Sequence, residues 1–197
     1  HNLHAIKIEV DKVKQAIYEG RLWEYVLKKA RAHPKLFEMI DILKENSNYL
    51  EISTPKFKEK AIFLYEKIDQ YRPEVQSYHK IVRKFKSKKK TLIITKESTT
   101  RPAYLSHEYF SLKRKFKDLE SIQVCQYSPH LGLIPLEISD IFPAAHHETS
   151  RLNFEPEEFP TFENTWTKFF QNNKFSEVYY DKTDEFLKYF IKMLPKE

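Results

Sequence analysis

Lys84-Phe85-Lys86-Ser87-Lys88-Lys89-Lys90-Thr91-Leu92-Ile93-Ile94-Thr95 is where the chain changes its period. Five lysines end at Lys90, and a β-branched run of buried-strand type begins at Thr91. Downstream, the pattern predicts a basic amphipathic helix over His107–Phe116, a strand over Ser121–Tyr127, a helix over Phe162–Gln171, a strand over Glu177–Tyr180 and a helix over Thr183–Met193 with Thr183 as its N-cap. Strands alternating with helices imply a small parallel or mixed sheet with helices packed on its faces.

Upstream, the apolar residues keep helical spacing. Leu3, Ile6, Val10, Val13 and Ile17 recur at alternating intervals of three and four, and Gly20 can end that helix. Leu22, Trp23, Val26, Leu27 and Ala30 line a second helix, which His33-Pro34 breaks because a residue before proline is pushed out of the α region. Pro34 starts a third, with Leu36, Phe37, Ile40 and Leu43 as its buried side and its end near Asn46-Ser47-Asn48. Ala61-Ile62-Phe63-Leu64-Tyr65 reads as a short strand or a buried helical turn, and Pro73 opens a helix through Val75, Tyr78, Ile81, Val82 and Phe85. The expected fold class is therefore α+β or α/β: a helical segment over 1–72, then an α/β domain over 73–197, with the lysine run near their junction.

Composition bounds the function. Hydrophobic residues at 41% and aromatics at 15% can build a core, whereas 31% charged residues and a mean hydropathy of -0.65 exclude a membrane-embedded chain. No apolar stretch approaches the roughly 20 residues that cross a bilayer, and no signal-peptide layout opens the chain, so a soluble, cytoplasmic protein is expected. A net charge of +6 and a pI near 9.1 favour an anionic partner, nucleic acid above all. With only Gly20 and Gly132, there is no phosphate-cradling glycine loop. The lone Cys125 rules out a disulfide framework and reads as a core residue within a strand.

The residues show no self-evident active site. Lys84, Lys86, Lys88, Lys89, Lys90, Arg101, Lys113, Arg114, Lys115 and Lys117 are the candidate phosphate contacts. Tyr104, Tyr109 and Phe110 are interleaved with them but read as core, since aromatics dominate cores by area. His146-His147-Glu148 has the residue types to hold a metal, yet sequence neighbours on a loop point in different directions, and the loop reading is preferred. Gly132 to Pro143, with two prolines and a glycine, reads as a tightly prescribed loop.

Several of these stretches carry a resemblance. His1-Asn2-Leu3, Ile17-Tyr18-Glu19-Gly20-Arg21-Leu22-Trp23-Glu24 and Arg31-Ala32-His33-Pro34-Lys35-Leu36 resemble the closing helices of the catalytic barrel in archaeal tRNA-guanine transglycosylases. Arg72-Pro73-Glu74-Val75 is similar to the passage from that barrel to the C-terminal domains. Ile134-Pro135-Leu136-Glu137-Ile138-Ser139-Asp140-Ile141-Phe142-Pro143-Ala144-Ala145-His146-His147-Glu148 resembles a proline-bounded segment further along and, more loosely, one in archaeosine synthase.

The resemblance implies part or a subunit of an enzyme that exchanges the guanine at position 15 of the tRNA D arm for 7-cyano-7-deazaguanine. It implies a structural zinc held by three cysteines outside this chain and by a histidine that aligns with His1, which is otherwise a terminal residue with no role. The family's catalytic aspartates belong upstream, so no catalytic residue is assigned here. The implied partners are tRNA and a barrel-bearing subunit or the remainder of the same chain, with a homodimer also open. Two rivals stand beside this. An archaeosine synthase-like protein would carry a PCxxxKPYxxSxxH motif near Lys96–Tyr109, of which Pro102 and Ser106 alone remain clear. A non-catalytic tRNA-binding scaffold is the other.

Overall fold

Alternation in the strand after the lysine run decides which side of the sheet becomes the core. In the computed structural model, which describes residues 1–150 and 162–192, Leu92 and Ile94 of β2 (Thr91–Lys96) and Cys125 and Tyr127 of β3 (Ile122–Ser128) face one way, into the main core. β3 runs parallel to β2 and antiparallel to β4 (Gly132–Pro135), while β6 (Glu177–Tyr180) lies parallel on the other side of β2, giving the order β4-β3-β2-β6. Helices α5 (Pro73–Lys84), α7 (Glu163–Asn172) and α8 (Glu185–Lys192) cover the core face through Val75, Tyr78, Val82, Trp166, Phe169 and Phe190. Helix α6 (His107–Lys115) buries no residue fully.

A second parallel pair joins β1 (Ile62–Leu64) to β5 (His147–Thr149), and Ile62 and Leu64 enter the same core. So the Ala61–Tyr65 run holds a strand, Ile62–Leu64, and not a turn of helix. Gly132 to Pro135 is a strand as well, where the sequence reading had a loop: two prolines discourage that assignment, but Pro135 closes an edge strand, the place where a missing N–H is tolerated. Gly132 sits at φ +89, and a Cβ there would stand 3.1 Å from the Phe162 ring.

The first helices form as their spacing predicts. After α1 (Asn2–Tyr18), Gly20 at φ +71 allows Arg21 N–H to reach Ala16 O at 2.7 Å and Gly20 N–H to reach Ile17 O at 3.0 Å, a two-bond helix stop. In α2 (Leu22–Ala30) Trp23, Leu27 and Ala30 are buried with Ile40 of α3 (Pro34–Glu45), whose N-cap His33 accepts Lys35 N–H on Nδ1. The third helix ends at Glu45 with Asn46 as its C-cap, as the sequence predicts, and a further helix, α4 (Ser47–Ser53), follows at once. One expectation needs correction. Leu36 and Phe37 are exposed rather than buried, and Leu3, Ile6, Val10 and Ile17 of α1 are exposed too, Leu3 to 84%. Among the described residues nothing covers them.

At the other end of the chain, Asp184, not Thr183, caps α8, its carboxylate accepting Leu187 N–H at 2.9 Å. Thr183 instead donates its hydroxyl to Asp181. Met193, the last residue of the expected helix, lies outside the described residues.

Charge buried between the helical array and the sheet holds the two together. Arg72, fully buried, donates through Nη1 to Glu24 of α2 at 2.8 Å and to the Phe63 carbonyl of β1 at 3.1 Å, and its Nε stands 3.5 Å from Glu74. Glu74 also receives Lys58. Next to it, Asp69 accepts Trp23 Nε1–H at 2.8 Å and the N–H groups of Tyr65 and Glu66. Removing one partner of a buried ion pair strands the others, so Arg72→Ala should cost about 3–5 kcal/mol in urea unfolding.

Two buried groups set the acid response. Burial holds His79 neutral, pushing its imidazole down to about 4, while Nε2 donates to Leu131 O at 2.7 Å. Burial alone would raise Glu74, but Arg72 and Lys58 outweigh it, and its carboxyl lies below the ordinary 4.5. A histidine with a lowered folded value loses stability as pH falls from 6.5 towards 4; a lowered carboxyl loses it further down, below 4.5. Urea midpoints should therefore begin to fall near pH 6.5, and His79→Gln should delay the onset to below about pH 5.

Candidate nucleic-acid interface

The ten candidate basic residues do not form one sheet of charge. Lys84 ends α5, and Lys86, Lys88 and Lys90 are exposed on the extended stretch that feeds β2. Lys89, partly covered, pairs with Glu137 at 2.9 Å. Lys113, Arg114 and Lys115 crowd the last turn of α6, where positive charge meets the carbonyl end of the helix dipole, and Lys117 follows on the exposed connection to β3.

These runs meet at one hollow. Lys89, Tyr104, Tyr109, Leu119, Glu120, Ile122, Val124, Leu136 and Glu137 line a cavity of about 300 Å³ on the sheet face opposite the main core. Lys113 Nζ stands 5.5 Å from the Tyr109 ring centroid, in cation–π range. Lys115 is directed elsewhere: its charge, with that of Lys96, helps hold the Asp181 carboxyl below its usual range, behind the hydrogen bonds from Thr183. The expectation that Tyr104, Tyr109 and Phe110 are core fails for two of them, since Tyr104 is 41% and Phe110 47% exposed. Tyr109 is half-buried. Phe110 lies on the nine-residue α6 and Tyr104 on the short turn Ala103–Leu105 before it, and spacing alone does not say which side of either the sheet covers.

Arg101 is apart from all of these. It follows β2 and reaches back, Nη2 donating to Glu97 at 2.8 Å, and Glu97 also meets His147 Nε2 at 2.6 Å. His147 Nδ1 faces the carbonyls of Pro143 and Ala144 at 2.9 and 3.1 Å, so that nitrogen carries a proton and donates. With Lys96, His146 and Glu148 these residues border an open cleft of about 770 Å³ at the carboxyl end of β2, the end of a parallel strand where ligands of α/β folds gather. His147 and His146 are thus not a metal pair: the first is locked into carbonyl and carboxylate bonds, and no group of three His, Cys, Asp or Glu among the described residues is arranged to hold an ion. His1 precedes α1, exposed, and its side chain makes no capping bond.

The arrangement defines a mixed α/β module with a basic, aromatic-edged surface and an attached helical array. No protein-family model matches the chain. Among curated proteins it is 34% identical over 152 residues to the tRNA-guanine(15) transglycosylase of Saccharolobus solfataricus, covering 75% of this chain and 30% of that one. The enzyme of that name in Methanocaldococcus jannaschii is 29% identical over 152 residues, with 77% and 22% covered, and that of Sulfolobus acidocaldarius 31% identical over 145 residues, with 73% and 27% covered. The chain is thus similar to one segment of archaeal tRNA-guanine(15) transglycosylases. It spans between 22% and 30% of the length of these relatives.

Cys125 lies outside this interface, fully buried in β3. Burial, with the Glu137 carboxylate adding to it, pushes its thiol well above the ordinary range and leaves almost no thiolate. A disulfide reagent such as DTNB should leave Cys125 unmodified in native protein and titrate it fully in denaturant; fast labelling of the native chain would refute the structural assignment.

Proposed function

We propose that this chain is one portion, or one subunit, of a tRNA-guanine(15) transglycosylase that replaces a D-arm guanine by 7-cyano-7-deazaguanine during archaeosine formation in the cytoplasm. Its part is to dock the barrel that carries the catalytic aspartates, to bind tRNA phosphates with its lysine runs, and to complete a structural zinc site through His1. A glycosyl exchange needs a nucleophile at the ribose anomeric carbon and an acid to protonate the departing base. In this reading both come from the barrel.

The observation that carries the proposal is the set of exposed apolar side chains on the helical array. Leu3, Ile6, Val10 and Ile17 on α1, and Leu36 and Phe37 on α3, stand exposed, a set that soluble surfaces rarely leave uncovered unless another body packs on it. The relatives have 70% or more of their length beyond the matched segment, room for that body. The exposed lysines on the stretch before β2 and at the end of α6 suit an RNA partner, and each would contribute affinity without sequence preference. His1, exposed at the start of α1 and free of a capping bond, can offer its ring nitrogen to a metal whose remaining ligands come from cysteines elsewhere. Bound there, zinc would act structurally, tying the start of α1 to the barrel.

Purification of the native protein from its source, with intact mass and zinc measured on one sample, tests this directly. The expected result is His1 internal to a longer chain, or a co-purifying barrel subunit bearing CxCxxC, with about one zinc per complex. A lone, zinc-free chain would sink the enzyme reading and favour a non-catalytic tRNA-binding scaffold. In the complex, Ile6→Asp with Val10→Asp should weaken association with the barrel about a hundredfold, as expected for burying two charges in an apolar interface.

A further inference from the structure

We infer that the hollow beside α6 is a pocket for an unpaired nucleobase, in which Tyr104 and Tyr109 stack on an RNA base flanked by Lys89 and Lys113. The inference deepens the tRNA-binding reading and rests on it for the partner, but its evidence is the geometry of this one site.

Four features converge there. Two tyrosines wall a hollow of about 300 Å³, the lower end of the range for small-molecule sites. Ile122, Val124, Leu119 and Leu136 floor it with aliphatic surface, against which a flat ring loses nothing by leaving water. Lysines from both basic runs, distant in sequence, lie close by: Lys89 lines the hollow, and Lys113 stands 5.5 Å from the ring of Tyr109, one of its walls. Tyr104 keeps 41% of its surface open to solvent, so its face is available to a ligand rather than spent on the core. Stacking platforms framed by lysine are how proteins hold unpaired bases, the aromatic face taking the base and the cations its flanking phosphates.

The polar groups narrow the choice of base. Glu120 and Glu137 line the pocket and can only accept hydrogen bonds at neutral pH. Glu137 already accepts from Lys89 at 2.9 Å and Gln123 at 2.6 Å, which leaves Glu120 as the freer acceptor. A base presenting N–H donors, as guanine, adenine and cytosine do through their exocyclic amines, suits this rim, whereas uracil offers only its ring imide.

The test uses the full chain, a tRNA transcript and short single-stranded oligonucleotides, with affinity measured by fluorescence anisotropy across a salt series. Tyr104→Ala should weaken tRNA binding about tenfold with the salt slope unchanged, because stacking releases no counterions, and Tyr104→Phe should restore it. Lys113→Ala should instead lower the slope by about one. Oligocytidylate or oligoguanylate should bind more tightly than oligouridylate. If tRNA binds but Tyr104→Ala changes nothing, or changes only the salt slope, the pocket is wrong and the tRNA reading stands. If the oligonucleotides bind in a Tyr104-dependent way and tRNA does not, the pocket stands and the tRNA reading falls. If neither binds, both are overturned.

Discussion

A single guanidinium fixes how the two parts of this molecule meet. Arg72 is wholly enclosed, yet its hydrogen bonds reach α2 through Glu24 and β1 through the Phe63 carbonyl, and its charge pairs with Glu74 of α5 at 3.5 Å. Beside it Trp23 is pinned by Asp69, which also gathers two backbone N–H groups of the following turn. Burying such charge gains little net stability, because the desolvation cost offsets most of the attraction. What it supplies is geometry: apolar surfaces slide, whereas hydrogen bonds from one nitrogen to two different elements are directional and restrict how those elements meet. Through α2, the helical array is thus tied to the first strand of the second parallel pair, and so to the main core.

The sheet was legible because the physics behind it is local. β-branched residues in Thr91–Thr95 and the aromatic pair in Glu177–Tyr180 mark strands wherever they fall, and all three parallel strands of the main sheet lie where spacing puts them. The elements that escaped are those in which one residue type serves two purposes. Asn46 ends α3 and opens α4, and proline at 135 borders an edge strand as readily as it borders a loop. The Ala61–Tyr65 run could not be resolved from sequence because its partner, His147–Thr149, lies some eighty residues away.

Function was legible unevenly. The lysines were apparent as a composition, and the match to archaeal relatives extends over about three quarters of the chain. Which lysines act together was not. Arg101 looks like its neighbours in sequence but is drawn inward by Glu97, and Lys89 and Lys113, remote in sequence, converge on one hollow. The tyrosines were assigned to the core on area alone. Side-chain direction on a short helix depends on which face the sheet covers, and that is a tertiary fact.

The sheet also has a history written into its order. Strand β2 is central, but its two neighbours arrive very unequally: β3 follows within about thirty residues, whereas Glu177 of β6 pairs with Thr91 across 86 positions. At synthesis rates of roughly 5–20 residues per second, that gap is about 4 to 17 s during which one flank of Thr91–Lys96 has no strand beside it. An open apolar strand is a template for any other extended chain. On the ribosome, the lysines clustered just before β2 would then have a second use, keeping nascent copies apart by charge until the last strand closes the sheet.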